Sequence, residues 1–476
     1  MDAKEFRGHA HELVDWMADY LENIEAYPVM SRVRPGAIKE ALPAEPPRQG
    51  EPFSALMADF ERIIMPGITH WQHPSFFAYF PANSSPASLL AEMLTATLGV
   101  QAMVWQTSPA ASELEEVVTK WLVQMLGLPD CFCGVIQDTA STATLCSLLT
   151  ARERASGFSV NENGFSGAEC FTCYCSTETH SSIEKAVKIA GIGRSRLRKV
   201  DVDERMALRA DELERVIAAD IAAGCRPLWL TATLGTTGST AFDPLLEISE
   251  ICGRHGIWLH VDAALAGTAL LLPEMRGLAA GLEKADSFVF NPHKWMFTNF
   301  DCSVYLLRDP AALVRTFEIL PEYLKTAVDS RVNNYRDWGV QLGRRFRALK
   351  LWFVIRHYGL AGLQEKIRLH LALAGRLAGL VAAAPDFELL APVPLNTVCF
   401  RYRPAGCDDE AKLDRLNQEL MNAVNADGRM YLTHTRLAGR FSLRLVIGQT
   451  NVQWRQVAIA WELLQQSAVR LNSQSC

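Results

Sequence analysis

Apolar positions near the N-terminus recur at helical spacing. Phe6, Leu13, Met17, Tyr20, Leu21 and Ile24 follow three- and four-residue steps, which predicts an amphipathic helix over residues 6–26. Residues 32–52 break the pattern with Pro35, Pro43, Pro46 and Pro47 and read as an extended arm. A second helix is predicted near 53–64, ending before Pro66. Two helices on an arm have little core of their own, so they are expected to lie on another subunit.

From about residue 85 to 310, helical patterns alternate with short apolar runs. The runs are PLWLTATLG (227–235), IWLHVDAA (257–264) and SFVFNP (287–292), with FTCYCS (171–176) a further strand. Helices are predicted at 243–255 and 273–284. Such alternation predicts a mostly parallel sheet covered on both faces. After residue 345 the pattern changes: helices at 346–358 and 360–384, then TVCFRYRP (397–404) and FSLRLVIG (441–448), with one helix between and one after. The expected architecture is α/β: an N-terminal helical arm (1–84), a large domain built on the parallel sheet (85–350) and a small α+β domain (351–476). No internal repeat is present.

Composition narrows the classes. With 476 residues, 49% of them hydrophobic, the chain can bury a large core. A net charge of −6 excludes a generally basic nucleic-acid binder. The start, MDAKEFRGHAHELVDW, is charged and lacks the apolar core of a signal peptide. The longest apolar stretch, IWLHVDAALAGTALLL, carries His260 and Asp262 and makes a poor membrane span. Twelve cysteines in a chain too long to need staples fit a reducing, cytoplasmic setting.

Three sites carry candidate chemistry. Lys294 follows the strand SFVF and is flanked by Phe290, Trp295 and Phe297. Desolvation there lowers an ammonium pKa and frees the amine to attack a carbonyl. Asp262 closes an apolar strand, and a buried carboxylate needs a partner. A protonated pyridine nitrogen is one, so an Asp on one strand and a Lys after the next suit pyridoxal phosphate (PLP) chemistry. Thr139, Ala140, Ser141 and Thr142 open a helix whose free N–H groups suit a phosphate. LGTTGST (234–240) offers a second polar loop on the same sheet edge. Each has an ordinary structural reading too: a surface lysine, a salt-bridged carboxylate, a capped helix start. Cys131 and Cys133 with Cys170, Cys173 and Cys175 resemble zinc-ligand spacing, but FTCYCS reads better as a strand, and no metal is expected. Gly191 and Gly193 lack a dinucleotide-site context, and Arg194, Arg196 and Arg198 read as a solvated loop.

Taken together, the chain resembles the PLP-dependent group II amino-acid decarboxylases, the family of aromatic-L-amino-acid decarboxylase. The likeness runs in order through Asp15–Tyr20, ITHWQHPSFFAYFP (68–81), SPAASELE (108–115), ETHSSIEKA (178–186), ATLGTTGS (232–239), HVDAALAG (260–267), NPHKW (291–295) and LGRRFRALKLWFV (342–354). It implies PLP fold type I and an obligate homodimer. It implies Lys294 as the Schiff-base lysine, Asp262 on the pyridine nitrogen and His180 stacked on the ring. Ala140, Ser141, Thr237, Asn291 and His293 would hold phosphate or ring, and Tyr323, on a mobile loop, would give the proton to Cα. Trp71, Tyr79, Phe80 and Pro81 would line the side-chain pocket, with Gln101 and Met103 supplied by the neighbouring subunit. Ala82 stands where animal dopa decarboxylases usually have threonine, and Gln101 and Met103 stand where an aliphatic and an aromatic residue are usual. The implied reaction is decarboxylation of an aromatic L-amino acid to amine and CO2. The rivals are an aromatic aldehyde synthase, a decarboxylase of a non-aromatic amino acid, a transaminase and a silent PLP-binding dimer.

Overall fold

The computed structural model describes residues 1–167, 169–319 and 331–474. Its centre is a seven-stranded sheet formed by β1 (Cys133–Gln137), β2 (Phe171–Ser176), β3 (Leu197–Val200), β4 (Arg226–Thr233), β5 (Trp258–Asp262), β6 (Ser287–Phe290) and β7 (Ser303–Leu307). The order is β1-β7-β6-β5-β4-β2-β3. Only β7 runs against the others, pairing antiparallel with β1 and β6. The inner strands are buried along their whole length, which is why they read as unbroken apolar runs.

Helices α1 (Ala3–Glu22), α2 (Pro86–Leu98), α3 (Pro109–Leu126), α4 (Ala140–Ser156), α5 (Ser182–Ile189), α6 (Ala210–Ala222) and α7 (Leu245–His255) precede or cross over the sheet. A helix over Arg347–Ala383, broken at Gly359 (φ 62°), links it to a second sheet. That sheet is antiparallel, ordered β10-β11-β9-β8 from β8 (Phe387–Leu389), β9 (Thr397–Tyr402), β10 (Thr433–Leu437) and β11 (Arg440–Val446). Helices Glu410–Asp427 and Trp454–Gln474 pack on it through their own apolar core, which includes Phe400, Leu420, Leu443 and Leu464.

Two expectations need correction. Residues 273–284 form short 3-10 turns, Pro273–Ala279 and Leu282–Lys284, not a helix. Gly281 takes φ 99°, far from helical values, so a helix cannot propagate through it. The Arg194–Arg198 stretch is not a solvated loop. A 3-10 turn runs into edge strand β3, and Arg198 pairs with buried Asp220 at 2.7 Å, beside the Tyr174 hydroxyl that donates to the same carboxylate.

α1 buries none of its residues. It lies on the Phe53–Asp59 helix and its continuation, where Trp16 donates to Glu61 and meets the Phe60 ring edge-on at 5.3 Å.

Candidate active site

The parallel strands deliver their carboxyl ends to one edge of the sheet, where open α/β sheets bind ligands. β1 leads to Thr139, β2 to His180, β4 to Thr233 and the loop carrying Thr237, and β5 ends on Asp262. β6 runs into a single helical turn, Pro292–Trp295, that carries Lys294. Asp262 lies in register between Thr233 of β4 and Val289 of β6. A cavity of about 250 Å³ opens there, lined among others by Phe80, Ala140, Ser141, His180, Thr237, Asp262, Asn291, His293 and Lys294. The structure therefore brings together every residue expected to hold cofactor.

Electrostatics set the roles these groups can take. Desolvation holds the Lys294 ammonium below its ordinary value; Asp262 opposes this and Arg444 reinforces it. The Lys294 Nζ sits 5.2 Å from the Phe80 ring centre. Asp262 is 5% exposed, and its Oδ1 accepts the Ala264 N–H at 3.1 Å. Desolvation also lowers His180, with Asp262 acting against it and Lys294 with it. The Ser182 backbone N–H donates to His180 Nδ1 at 3.2 Å, so the proton of the neutral imidazole is on Nε2. His293 is pushed down to about 3 by burial and by Lys294. Its Nδ1 accepts the Cys302 N–H at 2.9 Å. Asn291 is fixed by the Ser303 hydroxyl at 2.6 Å.

The arrangement fits PLP. Thr139 caps α4 through the Thr142 N–H, and the N–H groups of Ala140 and Ser141 precede the helix ladder. Thr233 Oγ1, on the cavity wall, is buried with no hydrogen-bond partner among the described residues. Gly235, at φ 79°, also lines this cavity, and a Cβ there would meet Ala266 at 2.7 Å.

A wider vestibule of about 810 Å³ adjoins it, lined by Trp71, Tyr79, Phe80, His180, Thr237 and Lys294 together with Glu178, Tyr431, Thr433, His434, Thr435 and Arg444. Trp71 and Tyr79 stack at 5.7 Å and 16°. Tyr79 has a left-handed backbone (φ 52°), held by Arg444 Nη1 donating to its carbonyl at 2.9 Å. Arg444 is 4% exposed and also donates to Gly238 O; its Nη2 is buried without a hydrogen-bond partner among the described residues.

Four expected pocket residues line neither cavity. Pro81 turns away from Phe80 toward Gly448, and the Ala82 carbonyl accepts from Gln72. Gln101 and Met103 hold Arg344 and Arg336 through a side-chain oxygen and a carbonyl. Tyr323 lies outside the described residues. Sequence reasoning missed Ser182, Thr233, Glu178, Tyr431, Thr433–Thr435 and Arg444. Arg444 did carry a signal, a charge inside the apolar run FSLRLVIG. Among the described residues, no three His, Cys, Asp or Glu converge as metal ligands, and no helix is long and apolar enough to cross a membrane.

A lysine and a buried carboxylate at the carboxyl edge of this sheet, beside a free helix N-terminus, define a PLP site of fold type I. Residues 35–403 match the pyridoxal-dependent decarboxylase conserved domain. The chain is 42% identical over 481 residues to tyrosine decarboxylase 4 of Petroselinum crispum, covering 98% of this chain and 94% of that one. It is 42% identical over 478 residues to phenylacetaldehyde synthase of Arabidopsis thaliana, covering 98% and 96%. The crystal structure of Catharanthus roseus tryptophan decarboxylase in complex with L-tryptophan superposes with a TM-score of 0.93 at 38% identity, covering 99% of both chains. The chain belongs to the pyridoxal-dependent decarboxylase family and is a PLP-dependent amino-acid decarboxylase.

Proposed function

We propose that the enzyme decarboxylates an aromatic L-amino acid to its amine. The observation that carries this is the stacked Trp71–Tyr79 wall, with Phe80, above a floor that holds Lys294 and Asp262. Flat apolar rings favour flat apolar side chains. The relatives named for tyrosine, tryptophan and phenylacetaldehyde chemistry support the same class.

Bound in the inner cavity, PLP supplies a carbonyl for the substrate amine and an electron sink for the pair left by CO2. Lys294, its ammonium pKa lowered by desolvation, would be the amine that holds the cofactor through that carbonyl. Asp262 keeps a proton on the pyridine nitrogen. The α4 N-terminus, Ser141 and Thr237 hold the phosphate, while Asn291 and His293 brace the floor. His180, on the wall of the same cavity, would cover the ring face as a neutral imidazole. Arg444 offers its unspent N–H to an anionic group of the substrate. Tyr323 gives the final proton to Cα.

The arm (1–84), large domain (85–350) and small domain (351–476) act within a homodimer. Its support is an exposed apolar face on α2, Leu90, Met93, Leu94 and Leu98, together with the exposed arm residues Phe6 and Leu56. Gln101 and Met103, off this chain's own cavities, then serve the neighbouring site. Eleven described cysteines are free, which supports a cytoplasmic setting.

Oxidative conversion to the aldehyde is the second reading, favoured by the likeness to phenylacetaldehyde synthase. Incubation with a panel of amino acids, measuring CO2, amine, ammonia and peroxide together, separates the two. Amine and CO2 without peroxide is the expected result. Peroxide and ammonia in step with CO2 select the synthase, and preference for glutamate, aspartate or histidine overturns the aromatic reading.

A further inference from the structure

Two cysteines meet at the end of the sheet opposite the site. Cys170 immediately precedes β2 and Cys225 immediately precedes β4. These strands are parallel neighbours with Phe171 opposite Arg226, and the Arg226 N–H donates to the Cys170 carbonyl at 2.8 Å. The cysteines therefore stand side by side at strand spacing, about 4.7–4.9 Å. That lies within the Cα separation of roughly 4.4–6.8 Å that a disulfide tolerates. Their sulfurs lie 2.6 Å apart, well inside van der Waals contact. Both are partly exposed, whereas Cys173 and Cys175 on the same strand are buried. Arg196 Nη1 lies 3.5 Å from Cys225 Sγ. The contact with Cys170 raises the Cys225 thiol, and Arg196 acts in the opposite direction.

We propose that Cys170 and Cys225 are a reversible dithiol–disulfide pair, a redox modification site that reacts with small-molecule disulfides. One cysteine, as thiolate, attacks the small disulfide and expels one thiolate, leaving a mixed disulfide on the protein. The second cysteine gives up its proton, attacks the protein-bound sulfur and expels the other thiolate. The two protein thiols lose two electrons and two protons, and the small disulfide becomes two thiols. The new bond ties two strands whose far ends carry His180 and Thr237, and it bridges positions 55 apart in the chain. It restricts the unfolded chain without entering the cavity. Oxidation is therefore expected to raise stability and leave turnover unchanged.

The test treats the holoenzyme with oxidised glutathione and then with dithiothreitol. The expected result is a Cys170–Cys225 linked peptide in a non-reducing digest, undone by dithiothreitol. With it goes a rise of a few degrees in the unfolding midpoint. Cys170→Ser and Cys225→Ser should each abolish the linked peptide and the thermal shift while keeping turnover. Stable glutathione adducts on either cysteine with no linked peptide would overturn the proposal. So would recovery of both thiols unmodified, or an equal thermal shift in Cys225→Ser.

Discussion

Lys294 and Asp262 face the same cavity for different reasons. The lysine is carried there by a single turn after β6; the aspartate is the last residue of β5. Lys294→Ala should remove the yellow absorbance of covalently held PLP and nearly all turnover. Borohydride reduction that fixes PLP to another lysine would refute the assignment. Asp262→Ala should weaken PLP retention and turnover strongly, with Asp262→Glu intermediate; near-normal rates in the alanine variant would leave Asp262 a structural role only. Tyr323→Phe removes one hydroxyl. It should still consume substrate and release CO2, lose amine output by on the order of 10²–10⁴-fold, and divert to aldehyde with oxygen uptake. Amine at the parent rate without oxygen uptake would move the proton to His180. Lys294 and Asp262 were legible because ionisable groups inside apolar runs are rare and need a use. Thr233 was not, because nothing in a threonine on a strand says that its hydroxyl will lack a partner.

At the scale of elements, the vestibule joins two sheets. β11 brings Arg444 under the segment 79–80 and across to Gly238. The guanidinium thus holds the left-handed Tyr79 in place and stands 4.6 Å from the Phe80 ring. A hydrogen bond to a charged group is worth about 1.5–3 kcal/mol. Arg444→Gln should therefore lower kcat/KM for aromatic substrates about 10-fold or more, chiefly through KM. Unchanged KM would show that the vestibule wall does not depend on it. The strands at 227–235, 257–264 and 287–292 and the break at Gly359 were readable, since period and a glycine mark them locally. The turns at 273–284 were not, because their apolar spacing imitates a helix while the backbone turns left-handed at Gly281.

The whole molecule supplies two further expectations. If α2 is the dimer seam, Leu94→Glu should yield monomers by light scattering and lose turnover, because Gln101 and Met103 no longer reach a second site. A dimer with full activity would place the seam elsewhere. The second concerns acid. Burial holds His73 and His260 at about 4 and His293 and His370 at about 3, all below the ordinary imidazole value of 6.5. The unfolded chain binds these protons and the folded one does not. Their stability contribution is complete above pH 6.5 and is lost as the pH falls toward 4. Asp243, pushed up to about 6 by burial, works in the opposite sense as one group against four. The unfolding midpoint of the holoenzyme should therefore drop between pH 7 and pH 5; a constant midpoint would mean that these imidazoles are charged in the folded state.

Local chemistry pointed to the fold class and the cofactor and picked out Lys294 and Asp262, which the fold brings to one cavity. Strand period, buried charge and the order of short motifs are properties of neighbouring residues and survive being read in one dimension. Tertiary structure alone decided the rest. It placed β7 against its neighbours, since the direction of a strand is set by its crossover. It brought Arg444 from the small domain to Tyr79 and left Gln101 and Met103 off their own chain's cavities. It also set Cys170 beside Cys225. Each of these contacts joins residues far apart in sequence, and only the register of packed elements fixes which of them meet.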